Sequence, residues 1–264
     1  MASKQAHVSM RDALASDDRL SEFKHEVLLQ GSYKNNTNLR KDSDVDLVVR
    51  LAYKLSPSVA DLSGKRLHAN TSHQAAHKHW QSFRRRALRV MKNRYGDAVT
   101  SGRKTIKLAR GELHADADLV VTLSYKEGIA LYLPDEKRWV VSFPQQHHDR
   151  GQKKEEATSG RFKRTVRMFK AARNRLVDLK VLAKEDAPSY FIECLLYNVP
   201  DGLYAPKLAP TYRNTLDWLK KTQLKGFKCQ NGKVPLFGPA PEQWSQQKAR
   251  SFVRALQELW DAGG

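Results

Sequence analysis

Cysteine is scarce in this sequence, with only Cys194 and Cys229 among 264 residues. Two cysteines cannot build a disulfide scaffold, and these two are not spaced as a pair of metal ligands. We therefore expect both to be reduced thiols, with Cys194 in the core.

Long apolar runs are also missing. No run approaches the roughly 18 residues that indicate a transmembrane helix, and the N-terminal residues lack the apolar centre of a signal peptide. We therefore expect a cytoplasmic protein that has no membrane partner.

Two familiar binding motifs are absent as well. The stretch 31–37 lacks the GK[ST] ending of a P-loop, which excludes a Walker-type ATPase. His73, His77 and His79 have no cysteine or acidic partner that completes a zinc set, and surface positions on a helix explain them better. The pair at 147–148 is expected in a loop, with the same lack of partners.

Acidic residues are few relative to basic ones. The sequence has 28 Asp and Glu but 47 Lys and Arg, and its formal net charge is +19. Such a charge attracts polyanions, so RNA is a candidate partner. The basic cluster at 84–94 would serve this purpose, although a solubilising helix face would carry the same residues.

The most informative segment is 31–51, GSYKNNTNLRKDSDVDLVVRL. A Gly-Ser turn at Gly31 and Ser32 leads to Asp44 and Asp46 on a predicted strand. Side chains alternate along a strand, so the two acids share one face while the intervening apolar residues enter the core. The segment HADADLVVTL repeats the pattern at residues 116 and 118, and a neighbouring strand would supply a third acid.

Converging carboxylates of this kind suit Mg²⁺, with Mn²⁺ as an alternative. Two ions about 3.5–4 Å apart can hold the attacking and leaving oxygens of an in-line displacement. A single Asp-x-Asp is more often a solvated strand face, but the Gly-Ser turn and the second acid pair together favour nucleotidyl transfer.

The element pattern predicts an α+β fold with a mixed sheet. Strands are expected at 44–52, 104–109, 115–123 and 138–142, and residues 144–160 read as a loop or linker. We place a domain boundary near residue 155. Helices are predicted at 8–28, 71–95, 161–177, 189–198, 211–222 and 241–261.

The sequence QGSYKNNTNLRKDSDVDLVV resembles the bacterial CD-NTases, which are cyclic-oligonucleotide synthases related to cyclic GMP-AMP synthase and oligoadenylate synthase in the DNA polymerase β-like superfamily. The segments RFKRTVRMFKAARN and PSYFIECLLYNVP resemble two helical segments of that family. The likeness covers most of residues 25–200. It implies a polymerase β-like core at 1–155 with an N-terminal spine helix, and a helical lobe at 156–264 that closes over the nucleotide.

The resemblance also implies roles for particular residues. Asp44 and Asp46 would hold both metal ions, and Asp118 would complete the site and serve the acceptor hydroxyl, with Asp116 as the alternative third acid. The donor nucleotide would be bound through Gly31, Ser32, Lys170, Ser189 and Tyr190.

Within that set, Ser32, Lys170 and Ser189 would contact phosphates, and Tyr190 would stack on the base. Arg167 and Thr37 are weaker candidates for assisting roles. Taken alone, Ser189 would read as a helix N-cap and Tyr190 as a half-buried aromatic.

The implied function is synthesis of a cyclic or short linear oligonucleotide second messenger from NTPs in antiphage signalling, with a downstream effector that binds only the product. One alternative is an enzyme that adds nucleotides to RNA ends. The other is a nucleic-acid-binding protein with weak catalysis, in which RNA binding would be sensitive to salt.

Overall fold

A computed structural model describes residues 2–39, 44–56, 71–113, 115–240 and 242–263. The chain packs as two units, one containing Met1–Asn35 and Arg40–Pro144 and the other Asn36–Leu39 and Gln145–Gly264. The boundary near residue 155 stays a prediction. No helix in the described ranges is long and apolar enough to span a bilayer.

The first unit is built on a seven-stranded mixed sheet, which confirms the predicted fold class. Strands β2 and β5 are parallel, and every other pairing is antiparallel. The strand order is β1-β2-β5-β4-β3. In addition, β6 pairs with the part of β5 that follows the residues paired with β4, and β7 pairs with β6. Its elements are α1 (Ala2–Ala15), α2 (Asp18–Ser21), β1 (His25–Gln30), α3 (Gly31–Asn35), β2 (Val45–Lys54), α4 (Thr71–Tyr95), β3 (Val99–Ser101), β4 (Thr105–Leu108), β5 (Ala117–Tyr125), β6 (Gly128–Leu133) and β7 (Arg138–Ser142).

The two-residue alternation explains how this sheet buries one side. In β2, Val45, Leu47, Val49 and Leu51 are buried, while Asp46 is only partly buried. Apolar side chains of α1 and α4 join the same core. Burial of this apolar surface is the main stabilising contribution.

One sequence prediction in this unit is wrong. The helix predicted at 8–28 ends as α1 at Ala15, and the segment from His25 onward forms β1. Asp17 interrupts the helical run, because its backbone is extended and it forms the N-cap of the short helix α2, where its side chain accepts a hydrogen bond from the Leu20 amide. Pairing with β2 then satisfies the backbone of β1, a long-range effect that outweighs the local helical spacing.

The second unit is helical around its own core, as the resemblance implied. The predicted linker at 144–160 is wrong, because most of it forms α5. Gly151, which suggested a loop, instead allows close packing, since a Cβ there would collide with the Gln230 side chain. The helices are α5 (Pro144–Ala157), α6 (Phe162–Asp178), α7 (Ser189–Tyr197), α8 (Leu208–Lys221) and α9 (Gln246–Asp261).

Candidate active site

A row of polar residues crosses four adjacent strands of the first unit. Asp46 of β2 is level with Asp118 of β5 in the parallel register. Gln30 of β1 is level with Asp46, and Lys107 of β4 is level with Asp118. Directly paired residues share a face of the sheet, so the four side chains line one face, opposite the buried apolar residues.

The other two acids of the predicted set lie just before their strands. Asp44 is exposed and immediately precedes β2. Asp116 immediately precedes β5, and its Oδ1 accepts a hydrogen bond from the Arg110 amide at 2.6 Å while its carbonyl accepts one from the Val45 amide at 2.8 Å. The choice of Asp118 over Asp116 stays a prediction, and the strand register favours it.

The electrostatics of the paired acids are unfavourable without a cation. Burial, together with the charges of Asp118 and Asp44, raises the pKa of Asp46 from 3.8 to about 6. Burial also raises the pKa of Asp118, where the charge of Lys107 acts in the opposite direction. Crowded carboxylates that resist ionisation are typical of sites that bind a positive charge.

Gly31 and Ser32 begin α3 beside these acids. The φ angle of Gly31 is +71°, and a Cβ at this position would collide with the carboxylate of Asp46. Only glycine combines this backbone conformation with such a close approach. The assignment of Gly31 and Ser32 to phosphate binding stays a prediction.

The donor set fits a hard divalent cation, because it offers carboxylate oxygens together with Gln30 Oε1, which is buried and lacks a hydrogen-bond partner among the described residues. Within the described ranges, no three side chains of Asp, Glu, His or Cys are arranged to hold an ion by themselves. Mg²⁺ usually keeps several waters and binds through one or two carboxylates plus substrate phosphates, which agrees with this arrangement.

The second unit contains the predicted Lys170, which is 2% exposed. Its Nζ donates to Glu193 Oε1 at 2.5 Å, to the Thr37 carbonyl at 3.0 Å and to Thr37 Oγ1 at 3.3 Å. One helical turn earlier, Arg167 Nη1 donates to the carbonyl of Asn36 at 2.5 Å. These two cations of α6 therefore contact the 36–39 segment, and a phosphate-binding role for Lys170 stays a prediction.

Ser189 and Tyr190 open α7 in the same unit. Arg173 fixes this helix start, because its Nη1 donates to the Ala187 carbonyl at 2.6 Å and its Nη2 lies 3.4 Å from Ser189 Oγ. Tyr190 is 43% exposed as a residue, and its hydroxyl accepts a hydrogen bond from Asn231 Nδ2 at 3.3 Å. An exposed aromatic residue with a tethered hydroxyl is suitable for stacking on a base, which stays a prediction.

Sequence reasoning missed four polar residues near these positions. Gln30 and Lys107 carry no local signal, because only strand pairing puts them level with the acids. Glu193 does carry one, as a single charge within the apolar helix FIECLLY. His147 was wrongly expected in a loop without partners. It lies on α5 and its Nε2 is 3.1 Å from Glu193 Oε2.

Comparison with known proteins identifies the family. Residues 149–261 match the family model of the cGAS/DncV-like nucleotidyltransferase C-terminal helical domain. A cyclic UMP-AMP synthase of Rhodothermus marinus is 40% identical over 99% of this chain and 93% of the relative. Cyclic nucleotide synthase CdnE01 of Staphylococcus haemolyticus is 30% identical over 89% of this chain and 85% of the relative.

A solved structure agrees with these sequence matches. The Rhodothermus marinus CdnE c-UMP-AMP synthase with Apcpp and Upnpp superposes with a TM-score of 0.85 and 37% identity, over 100% of this chain and 92% of that one. Because the likeness spans both units and nearly the full length of these relatives, the chain belongs to the bacterial CD-NTases, the nucleotidyltransferase family of cyclic nucleotide synthases.

Proposed function

We propose that this protein joins NTPs into a cyclic oligonucleotide second messenger by Mg²⁺-dependent nucleotidyl transfer in the cytoplasm, with Mn²⁺ as an alternative ion. The observation that carries the proposal is that Asp46 and Asp118 are direct partners in the register of β2 and β5, with Gly31 packed against the carboxylate of Asp46. Antiphage signalling through an effector that binds the product is the biological context we propose.

In the chemical step, a hydroxyl oxygen of one nucleotide forms a bond to the α-phosphorus of the other, and the bond to pyrophosphate breaks. Asp118 accepts the hydroxyl proton, which its raised pKa favours. Asp44 and Asp46 would hold the ions, and bound Mg²⁺ would supply charge neutralisation at the transferred phosphoryl group. A second transfer of the same kind closes the ring.

In the second unit, Lys170 and Ser189 would contact donor phosphates. The 3.3 Å contact between Lys170 Nζ and Thr37 Oγ1 is the weakest of the three that the ammonium makes. It is therefore the one that a phosphate oxygen would replace at least cost. Tyr190 would stack on the base.

The test is incubation of the purified protein with Mg²⁺ and four labelled NTPs, with and without RNA. The mixture is then treated with phosphatase, and the labelled products that resist it are separated. A small phosphatase-resistant product supports the proposal. Asp118→Asn should abolish that product, and Asp116→Asn should retain it. Extension of the added RNA would instead assign the protein to the enzymes that modify RNA ends, and a linear product would exclude ring closure.

A second proposal concerns RNA as an activating partner. Helix α4 has 25 residues and no Asp or Glu. Lys78, Arg85, Arg89 and Lys92 are exposed and recur on one side of it over about 21 Å. Among the described residues these four have no ion-pair partner, whereas Arg86 and Arg94 on the same helix are paired with Asp17 and Glu112.

The RNA proposal predicts a particular salt dependence. Replacing the four exposed cations with Gln should weaken RNA binding equally for all sequences and reduce the slope of log affinity against log salt, by about 0.7 to 0.9 for each phosphate that the variant no longer neutralises. Replacing Arg86 and Arg94 is the matched control, and should leave the slope unchanged. An unchanged slope in the fourfold variant would identify this face of α4 as merely solvated. Salt-sensitive RNA binding without any NTP turnover would support the binding-protein alternative.

A further inference from the structure

Glu193 is a buried carboxylate that belongs to none of the predicted sites. It is 4% exposed and lies on α7 among fully buried apolar neighbours. Burial by itself raises its pKa, but the hydrogen bond from His147 and the charge of Lys170 outweigh that effect and bring the pKa to about 2. The side chain is therefore an ionised carboxylate inside the second unit, a costly arrangement unless every oxygen is paired.

One oxygen of this carboxylate fixes Lys170, the lysine predicted to contact the donor phosphates. Oε1 accepts hydrogen bonds from Lys170 Nζ at 2.5 Å and from Thr37 Oγ1 at 2.7 Å. Lys170 also donates to both oxygens of Thr37. An ammonium group has three donors, and these contacts occupy all three. The two shorter ones, to Glu193 Oε1 and the Thr37 carbonyl, hold the group in place, while the 3.3 Å contact to Thr37 Oγ1 is the one that a phosphate oxygen would replace.

The other oxygen fixes His147, which lies against Tyr190, the residue predicted to stack on the base. Oε2 lies 3.1 Å from His147 Nε2, and the His147 ring stacks on Tyr190 with centroids 5.2 Å apart and planes at 24°. The Nδ1 atom of His147 is buried with no hydrogen-bond partner in the part of the chain that the structure describes. The ring is thus oriented by Glu193 on one side and Tyr190 on the other.

We propose that Glu193 is a positioning residue that holds Lys170 for the donor triphosphate and, through His147, holds Tyr190 for the base of the same nucleotide. The inference rests on the proposed function, because it assigns those two ligands to Lys170 and Tyr190. It adds a physical link between the phosphate end and the base end of the nucleotide.

A purely structural role would have different consequences. If Glu193 only neutralised a buried charge, its replacement would weaken the second unit and reduce binding of every ligand alike. A positioning role instead separates the two ends of the nucleotide, because the link to His147 concerns only the base. Inorganic tripolyphosphate has no base, and it therefore reports the phosphate end alone.

The test measures equilibrium binding of two probes to the full chain. One is inorganic tripolyphosphate, and the other is the α,β-methylene analogue of the NTP that the wild type binds most tightly, which cannot release pyrophosphate. The variants are His147→Leu, Glu193→Asp and their combination. The shorter Asp carboxylate cannot reach both partners, and it remains with Lys170 because the charged contact is the stronger.

We expect each single variant to weaken binding of the nucleotide analogue about tenfold, the factor that corresponds to 1.4 kcal/mol, and to leave tripolyphosphate binding within about twofold. The double variant should be no weaker than either single variant, because both break the same link. Tyr204→Phe is the control. It removes a buried hydrogen bond to the Leu196 carbonyl of α7 and should change neither affinity.

Several outcomes would overturn the inference. These are unchanged nucleotide binding in either single variant, equal weakening of both probes, or single-variant losses that multiply in the double variant. If Glu193→Asp does not fold by circular dichroism, His147→Leu with both probes still decides the question. A wild type that binds both probes and yet makes no cyclic product would contradict the proposed function alone.

Discussion

The raised pKa of Asp46 leads to a prediction about stability as well as activity. The group titrates at 3.8 in its unperturbed state and at about 6 in the folded protein. Raising the pKa of Asp46 from 3.8 to about 6 corresponds to about 3 kcal/mol of destabilisation once the group is ionised in both states. Asp46→Asn removes the charge at nearly constant volume, and should stabilise the metal-free protein while it abolishes turnover.

The sign follows from where the protons bind. Below pH 3.8 both the folded and unfolded states hold the proton, and the group costs nothing. As the pH rises towards 6 the unfolded state releases it first, so the free energy of unfolding falls, and the full penalty of about 3 kcal/mol applies above pH 6. The advantage of Asp46→Asn should therefore be about 1 kcal/mol near pH 4.5 and about 3 kcal/mol at pH 7.5.

The assay is urea unfolding of both proteins in EDTA at these two pH values, with tryptophan fluorescence as the readout of unfolding. Addition of Mg²⁺ at pH 7.5 should stabilise the wild type and have little effect on the variant, because a cation relieves the repulsion that only the wild type carries. If Asp46→Asn is no more stable than the wild type at pH 7.5 in EDTA, the electrostatic argument is refuted. Retained turnover in the variant would remove Asp46 from the catalytic set.

Three further predictions concern other positions. Gly31→Ala should destabilise the first unit by at least the 1–2 kcal/mol of a left-handed backbone and abolish turnover, because its Cβ collides with the facing carboxylate; urea unfolding and the product assay measure both. Lys107→Met should raise the pKa of Asp118 and move the acid limb of the pH–rate profile upward. Gly151→Ala should cost about 1–3 kcal/mol by overpacking against Gln230, measured by urea unfolding.

Two of these substitutions have a matched control. For Lys107 it is Lys104→Met, a nearby exposed lysine that precedes β4, which should leave the pH–rate profile in place. For Gly151 it is Gly202→Ala, where a Cβ meets open space and stability should be unchanged. A fully active Gly31→Ala enzyme would contradict the close approach of Gly31 to Asp46. If Lys104→Met acts like Lys107→Met, or Gly202→Ala like Gly151→Ala, the contact proposed for Lys107 or Gly151 is contradicted.

Secondary structure followed from the sequence where the local pattern was long and regular. The 71–95 helix, the amphipathic helix after residue 161 and the strands around Asp46 and Asp118 are confirmed. The errors at 8–28 and 144–160 arose where distant residues decide the conformation. Strand β1 depends on β2, and Gly151 is explained only by the side chain of Gln230.

The candidate site divides in the same way. The spacing of Asp44 and Asp46, together with the second acid pair, was enough to indicate nucleotidyl transfer, and the resemblance supplied the family that the comparisons confirm. Their individual roles stay predictions. Neither the spacing nor the resemblance indicated that Lys170 is paired with Glu193, or that His147 lies against Tyr190.

By itself, the sequence determined the kinds of side chain available, their alternation along strands and helices, and the excess of positive charge. Only the tertiary structure decided which of them meet. Register between β2 and β5 makes Asp46 and Asp118 level, and the contact between Thr37 and Glu193 joins residues 156 positions apart. Such pairings depend on burial and packing of the whole unit, because local backbone preferences contain no information about partners so distant in the chain.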